Sequence, residues 1–258
     1  MTARPQVVIH TEREISGIRK AAAATAGVRD RLAAAIRPGM TTLTIDQLAK
    51  GLIQQTGGVS AFHGYRGFPG QVCISLNDEV VHGIGRAERL VGPGDLVKID
   101  VGVRLDGYIG DTAVTVCAGA CADPAARRLV DATRNALERG IEAARGGGHV
   151  GDIGRAVERI VKAAGFSVVR DFVGHGCGCD LHEPPEVPNF ESSRKGPRLR
   201  PGMVLAIEPM VNMGDAGVLV EDDRWTVRTV DGSLSAHMEH MVLITDREPE
   251  ILTWPKTA

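Results

Sequence analysis

Apolar residues recur at helical spacing in four stretches, arranged as two pairs. Ile15, Ile18 and Ala22, then Val28, Leu32 and Ala35, mark one helical face. Thr11 with Glu14 makes a capping box at its start, and Pro38-Gly39 stops it. A second box, Thr44 with Gln47, opens a helix that carries Ile45, Leu48, Leu52 and Ile53 and ends at Gly57-Gly58. A third helix is started by Asp123-Pro124 and runs to Gly146. A fourth starts at Asp152, carries Ile153, Val157, Ile160 and Val161, and ends at Gly165. Between and after them, segments 71–81, 95–117, 203–212, 217–230 and 236–244 are β-rich. Paired helices with strands massed in the middle and at the end predict an α+β fold rather than alternating βαβ units.

The pairing has an internal origin. PGDLVKID (93–100) aligns with PGMVLAIE (201–208) at an offset of 108, and that offset also carries Arg37 onto Arg145, Gly39 onto Gly147, Ile45 onto Ile153 and Gly57 onto Gly165. One offset shared by separated segments predicts two related halves, each a helix pair with antiparallel strands. The expected organisation is a single domain over 1–258, with halves near 12–120 and 121–250. The repeat also places Asp100 and Glu208 equivalently, a carboxylate closing each β-segment.

In LVKIDVGVRLDGYIGDTAVTV (96–116), Asp106-Gly107 between alternating apolar stretches is a two-residue hairpin signal. That loop pairs Leu105 with Tyr108 and Gly102 with Asp111, so Asp100 and Asp111 share one face of the sheet. A register slip of one residue would separate them. Solvation on an exposed face explains Asp100 poorly, because Val97, Ile99 and Val101 flank it in a nearly continuous apolar run. Lys98 is the one well-placed cation on that strand face. Two buried carboxylates side by side call for a positive partner, and a divalent metal fits better than an ion pair. Glu208 and Glu239 also adjoin apolar strands, so four carboxylates could nearly neutralise two divalent cations. Oxygen donors with an imidazole suit manganese, iron, cobalt or catalytic zinc.

Composition changes little in this picture. The chain has 258 residues, a hydrophobic fraction of 43% and a formal net charge of −2. These give a sizeable core and no electrostatic case for nucleic acid or an anionic membrane. No secretory pattern opens the sequence and no apolar run reaches the length of a membrane span, so the expected setting is the cytoplasm. Five cysteines do not read as a disulfide framework. GHGCGCDLHEPP (174–185) holds two histidines and two cysteines, leaving open whether a metal would meet imidazole or thiolate there.

Several segments together resemble the short, type I methionine aminopeptidases: VVHGI (80–84), KIDVGVRLDGYIGDTAVTV (98–116), GHG (174–176), LHEPP (181–185), AIEPMVN (206–212) and SAHMEH (235–240). The match runs in order over roughly residues 12 to 250. It implies the pseudo-two-fold "pita-bread" fold, a curved antiparallel sheet covered by two helix pairs, in agreement with the repeat. It implies that Asp100, Asp111, His175, Glu208 and Glu239 hold two divalent metal ions (cobalt, manganese, iron or zinc), with Asp111 and Glu239 bridging. Glu208 would accept a proton, and His82 and His182 would contact the substrate. Phe62, Tyr65, Cys73 and Trp225 would line a methionine pocket, and His63 and His240 would support the site. His10, His149 and His237 gain no role from the resemblance. Cys177 and Cys179 stand where relatives carry an aliphatic and a basic residue, and are expected to pack beside the metal centre rather than ligate it. Pro184 replaces an acidic residue, and a loop around Arg66-Gly67-Phe68 lies beside the expected pocket.

The implied activity is removal of N-terminal methionine from peptides and nascent chains when the second residue is small. The expected partners are those chains, at the ribosome, with the enzyme a monomer. Thr2 is small, which makes Met1 of this chain an expected substrate. The alternatives are a proline-directed aminopeptidase or dipeptidase on the same fold, and a non-catalytic binding protein that has lost its metals. Proline-directed relatives usually carry a large extra N-terminal domain, and non-catalytic relatives lose ligands. All five ligand positions are filled here.

Overall fold

The computed structural model describes residues 7–254; Met1 and Thr2 lie outside the described residues. Helix α1 (Glu12–Ala35) begins at the expected capping box, with the Thr11 side chain accepting from the Glu14 N–H and the Glu14 carboxylate accepting from the Thr11 N–H at 2.7 Å. Helix α2 (Thr42–Gln55) begins earlier than the Thr44 box implied. Thr41 is the cap, and its hydroxyl accepts the Thr44 N–H at 3.0 Å. Helix α3 (Pro124–Ala143) is capped by Asp123, which accepts from the Ala125 N–H at 2.8 Å, and it stops short of Gly146. Helix α4 (Val150–Ala163) starts ahead of Asp152, whose carboxylate reaches back to the His149 N–H at 2.9 Å. An acidic residue satisfies the end of a helix either as the cap or from the first turn, so its type alone does not fix the start.

The repeat is visible in the elements. Helices α2 and α4 are both 14 residues long and begin 108 positions apart. The same offset relates the strand Val59–Ser60 to Ser167–Val168, and the start of Leu96–Leu105 to that of Val204–Ile207. Gly39 and Gly147 take φ of 88° and 91°, where a side chain would strain the backbone. Both halves turn at the same place for the same reason.

Strand pairing is antiparallel and spread over four sheets. The first half builds a sheet on the hairpin of Leu96–Leu105 with Tyr108–Cys117, flanked by Cys73–Leu76 and Val59–Ser60. Asp106 and Gly107 have φ of 51° and 86°, as a type I′ turn requires. The expected register follows, with Leu105 opposite Tyr108, Gly102 opposite Asp111 and Asp100 opposite Ala113. The second half builds a five-stranded sheet in the order Glu250–Ile251, His240–Leu243, Val204–Ile207, Gly174–Gly176, Glu183–Val187. Two of those strands come from the glycine- and proline-rich stretch, which carries no alternation of its own; pairing with Val204–Ile207 makes Gly174–Gly176 a strand.

One apolar core lies under α1 and α2 (Leu32, Ile45, Ile53, Val97, Ile99) and another under α3 and α4 (Leu129, Leu137, Ile153, Val157, Leu205). A third cluster, including Ile18, Phe62, Ile109, Cys177 and Met241, joins the halves. Each large side chain fully removed from water contributes about 1.5–3 kcal/mol. The halves are also stitched by polar contacts beside the site. Glu239 N–H donates to the Ala113 carbonyl at 3.0 Å, and the Thr115 hydroxyl donates to the His237 carbonyl at 2.7 Å. Among the described residues no helix is long and apolar enough to cross a membrane.

Candidate metal centre

The four carboxylates arrive from four strands. Asp100 and Asp111 sit on the two arms of the hairpin, on one face as the register required. Glu208 follows the end of Val204–Ile207, and Glu239 precedes His240–Leu243, the strand paired with it. Pairing of Gly174–Gly176 with Val204–Ile207 sets His175 opposite Ala206. All five side chains line one cavity of about 270 Å³. One ligand atom each from Asp111, His175 and Glu239 lies within 4.8 Å of the other two.

Buried together, these acids resist ionisation. Burial pushes the Asp100 carboxyl up to about 7 and that of Glu208 up to about 8. Burial, with neighbouring carboxylates adding to it, holds Asp111 and Glu239 well above the ordinary carboxylate range. One oxygen of Asp100 and one of Asp111 are buried without a hydrogen-bond partner. Lys98 does not answer them. Its ammonium turns away to the carbonyls of Asn77 and Ser235, at 2.7 and 2.9 Å.

The histidines do not supply the positive charge either. Burial drives His175 down to about 3, and its Nδ1 lies 2.9 Å from the Gly176 carbonyl. That contact requires the proton on Nδ1, so Nε2 presents a lone pair. Nε2 nevertheless faces Glu208 Oε1 at 3.3 Å and Asp111 Oδ2 at 3.9 Å. A lone pair aimed at carboxylate oxygens is repulsive unless a proton or a cation lies between them. His237, to which the sequence assigned no role, stands with Nε2 3.5 Å from Glu208 Oε2 and is held down to about 4 by burial.

The remaining expected residues divide clearly. His82, His182, Phe62, Tyr65, Cys73 and Trp225 line the same cavity as the five metal-ligand candidates. His82 adopts φ 60° and stands edge-on to Phe172 and Trp225, at ring separations of 5.5 and 6.3 Å. Burial holds it down to about 4. His182 stands at the cavity lip with Nδ1 2.8 Å from the Tyr65 hydroxyl and its ring 4.3 Å from that of His175. His63 is exposed against the Pro69 carbonyl, and His240 bonds the Thr253 hydroxyl; neither is among the cavity's lining residues. Cys177 is wholly buried in the apolar cluster between the halves, and Cys179 lies apart against His10.

Sequence reasoning missed part of the cavity wall and its brace. Phe172 and Met210 add to the wall, beside Phe68 from the loop expected next to the pocket. Behind it Arg29 donates to the Thr112 hydroxyl at 2.7 Å, and that hydroxyl donates to the Glu239 carbonyl at 2.8 Å. Arg29 and Thr112 are 83 positions apart, so no local pattern connects them.

Residues 16–246 match the model of metallopeptidase family M24. The chain belongs to that family. It is 43% identical over 247 residues to methionine aminopeptidase 1 of Bacillus subtilis, covering 96% of this chain and 99% of that one. A crystal structure of methionine aminopeptidase from Thermotoga maritima superimposes with a TM-score of 0.93 at 42% identity, covering 96% and 99% of the two chains. The prolidase of Pyrococcus furiosus, at 23% identity and a TM-score of 0.77, shares the fold, and this chain covers 66% of it. The fold is therefore the pseudo-two-fold α+β arrangement of the aminopeptidases.

The donor set formed by Asp100, Asp111, His175, Glu208 and Glu239 fits divalent cations. It is oxygen-rich with one neutral imidazole, and it holds orphaned buried carboxylate oxygens and an imidazole lone pair aimed at acids. Cys73 lines the cavity too, but burial keeps its thiol protonated, well above the usual range.

Proposed function

We propose that this chain removes N-terminal methionine from peptides and nascent proteins whose second residue is small. The observation that supports this reading best is one cavity holding both the acid cluster and a wall of Phe62, Tyr65, Phe68, Cys73 and Trp225. At about 270 Å³ it is smaller than the roughly 300–1,000 Å³ of sites for larger ligands. One terminal residue fits, and apolar and aromatic walls suit an unbranched thioether. The cavity adjoins a larger groove of about 1130 Å³ through the shared residues Arg66, Val173, His175 and His182. A long chain can lie there while only its end enters.

In this reading Asp100, Asp111, His175, Glu208 and Glu239 would hold two divalent ions, the four acids supplying oxygens and His175 an imidazole nitrogen. When bound, such ions supply Lewis acidity to a carbonyl and an acidic water at neutral pH. Glu208, which lines the cavity beside the other acids, accepts the proton of the attacking water and passes it to the leaving amine. His182, at the lip, donates to the scissile carbonyl oxygen, and Tyr65 orients it. His82, neutral and fixed between aromatic rings, meets the amide side of the bond. Every side chain given a role here belongs to a single chain, so a monomer suffices, and nascent chains at the ribosome supply the substrate in the cytoplasm.

The deciding experiment compares Met-Ala-Ser, Met-Glu and Xaa-Pro peptides with protein loaded with cobalt, manganese, iron or zinc in turn, and with chelated protein. Fast release of methionine from Met-Ala-Ser alone, lost on chelation and regained with metal, is expected. Equal rates on Met-Glu, or faster cleavage before proline, would reject the assignment.

A further inference from the structure

A second cluster of metal-ligating side chains lies outside the cavity. His10, Cys179 and Glu183 each offer one ligand atom within 4.8 Å of the other two. The His10 and Glu183 side chains are 1% and 5% exposed, and His10 Nε2 stands 3.1 Å from Glu183 Oε2. Both of those atoms are buried without a well-formed hydrogen bond. Glu183 is held rigidly, since its Oε1 accepts from the N–H groups of Cys179 and Asp180 at 2.7 and 2.8 Å. Its Oε2 faces His10 Nε2, so a bound ion would take the place of the proton between them. Cys179 Sγ is 3.8 Å from His10 Nδ1, the other ring nitrogen, and burial, with the Glu14, Glu183 and Asp180 carboxylates beside it, pushes the thiol up to about 11.

We infer that His10, Cys179 and Glu183 form a mononuclear site for a zinc-class divalent cation, separate from the carboxylate centre. Imidazole, thiolate and carboxylate are the donors zinc takes in tetrahedral sites. Thiolate and carboxylate together neutralise its charge, and Glu14 or a water completes the fourth position. The thiolate distinguishes this site from the oxygen-rich centre and excludes magnesium and calcium as occupants. Its placement gives it a role. His10 immediately precedes the cap of α1, and Cys179 and Glu183 bracket His182. The cation would clamp the start of the chain's first helix to the loop that carries the substrate-facing histidine.

Cobalt tests this directly, because a thiolate ligand gives bound cobalt(II) a near-ultraviolet charge-transfer band that oxygen and imidazole ligands do not. Chelated protein titrated with cobalt should develop that band and bind one equivalent more than Cys179→Ser, which should lack the band. Asp100→Asn, altered only in the other centre, should keep it. His10→Asn should weaken the equivalent by more than the roughly 10–100-fold seen when a residue merely supporting a ligand is lost. A wild-type protein without the band, or a band that survives Cys179→Ser, overturns the inference and leaves a buried His10–Glu183 pair as a simple staple. The wild-type measurement needs no variant, so a failure of Cys179→Ser to fold does not remove the test.

Discussion

Asp100→Asn exchanges a carboxylate oxygen for an amide nitrogen at almost constant volume, so its strand keeps its packing through Val97, Ile99 and Val101. Two effects of opposite sign follow. In metal-loaded protein, loss of a charged donor is expected to lower kcat/KM at least about a hundredfold, or about 2.7 kcal/mol. In metal-free protein the same change is expected to stabilise the fold. Burial holds the Asp100 carboxyl up to about 7, against about 3.9 in an unfolded chain. The folded state therefore binds that proton more tightly. Stability from it is complete below about pH 4 and is lost as pH rises through about 7. Three pH units at 1.36 kcal/mol each put the loss by pH 8 at about 4 kcal/mol. Asparagine does not titrate and escapes it. The assays are urea unfolding of chelated protein at pH 5 and pH 8, and turnover of Met-Ala-Ser with metal content measured. A loaded variant keeping more than about a tenth of wild-type activity, or a chelated variant no more stable than wild type at pH 8, refutes the reasoning.

A Cβ on Gly102 would stand 2.4 Å from the Phe62 ring, so Gly102→Ala should push Phe62 into the pocket and raise KM for methionine substrates far more than for alanine-terminated ones; a parallel rise for both would count against Phe62 as a pocket wall. His182→Asn should lower kcat about a hundredfold, whereas Tyr65→Phe, which removes only the 2.8 Å contact to His182, should cost about tenfold or less. Equal losses in steady-state kinetics would make Tyr65 more than an orienting residue. Lys98 is held down to about 7 by burial, so between about pH 7 and 10 the unfolded chain binds more protons and wild-type stability rises with pH. Lys98→Met should abolish that rise and leave two carbonyls unpartnered, at about 1–3 kcal/mol each. Urea unfolding of loaded protein at pH 7.5 and 9.5 reads both, and an unchanged pH slope would contradict the burial argument.

Much of this site was legible because its geometry is local. Asp106-Gly107 dictates a hairpin register, and that register alone puts Asp100 and Asp111 on one face. The 108-residue offset then places Glu208 where Asp100 stands in the other half. His175 was harder. Its strand, Gly174–Gly176, has no alternation and is defined by its pairing with Val204–Ile207 and Glu183–Val187, so resemblance to a known family identified the histidine where periodicity could not. Arg29, His237 and the His10–Cys179–Glu183 cluster were invisible for the same physical reason. Arg29 meets Thr112 across 83 positions, His237 meets Glu208 across 29 and His10 meets Cys179 across 169, and nothing in a single segment encodes such a meeting. Helix starts erred where two oxygen-bearing residues compete for one end, as Thr41 and Thr44 do.

The acid cluster also explains why a cation rather than a protein charge belongs at the junction of the halves. Each cationic group near it is already committed elsewhere. Lys98 is turned to two carbonyls, and Arg29 pairs with Asp30 at 2.8 Å while bracing Thr112. The imidazoles that line the site, His82, His175 and His182, are all shifted by burial toward the neutral form, as is His237 behind Glu208. Four carboxyls raised toward or above neutrality must therefore take up either protons or metal. Protons satisfy the acids one at a time, and a protonated Glu208 can donate to the His175 lone pair. Divalent ions satisfy the four acids and the imidazole together. Because the same carboxyls bind either, metal affinity should weaken progressively as pH falls below the range of about 8 to 7 set by Glu208 and Asp100. The backbone needs no rearrangement for this exchange, since the hairpin register and the strand ends fix every donor whether the charge is neutralised by protons or by metal.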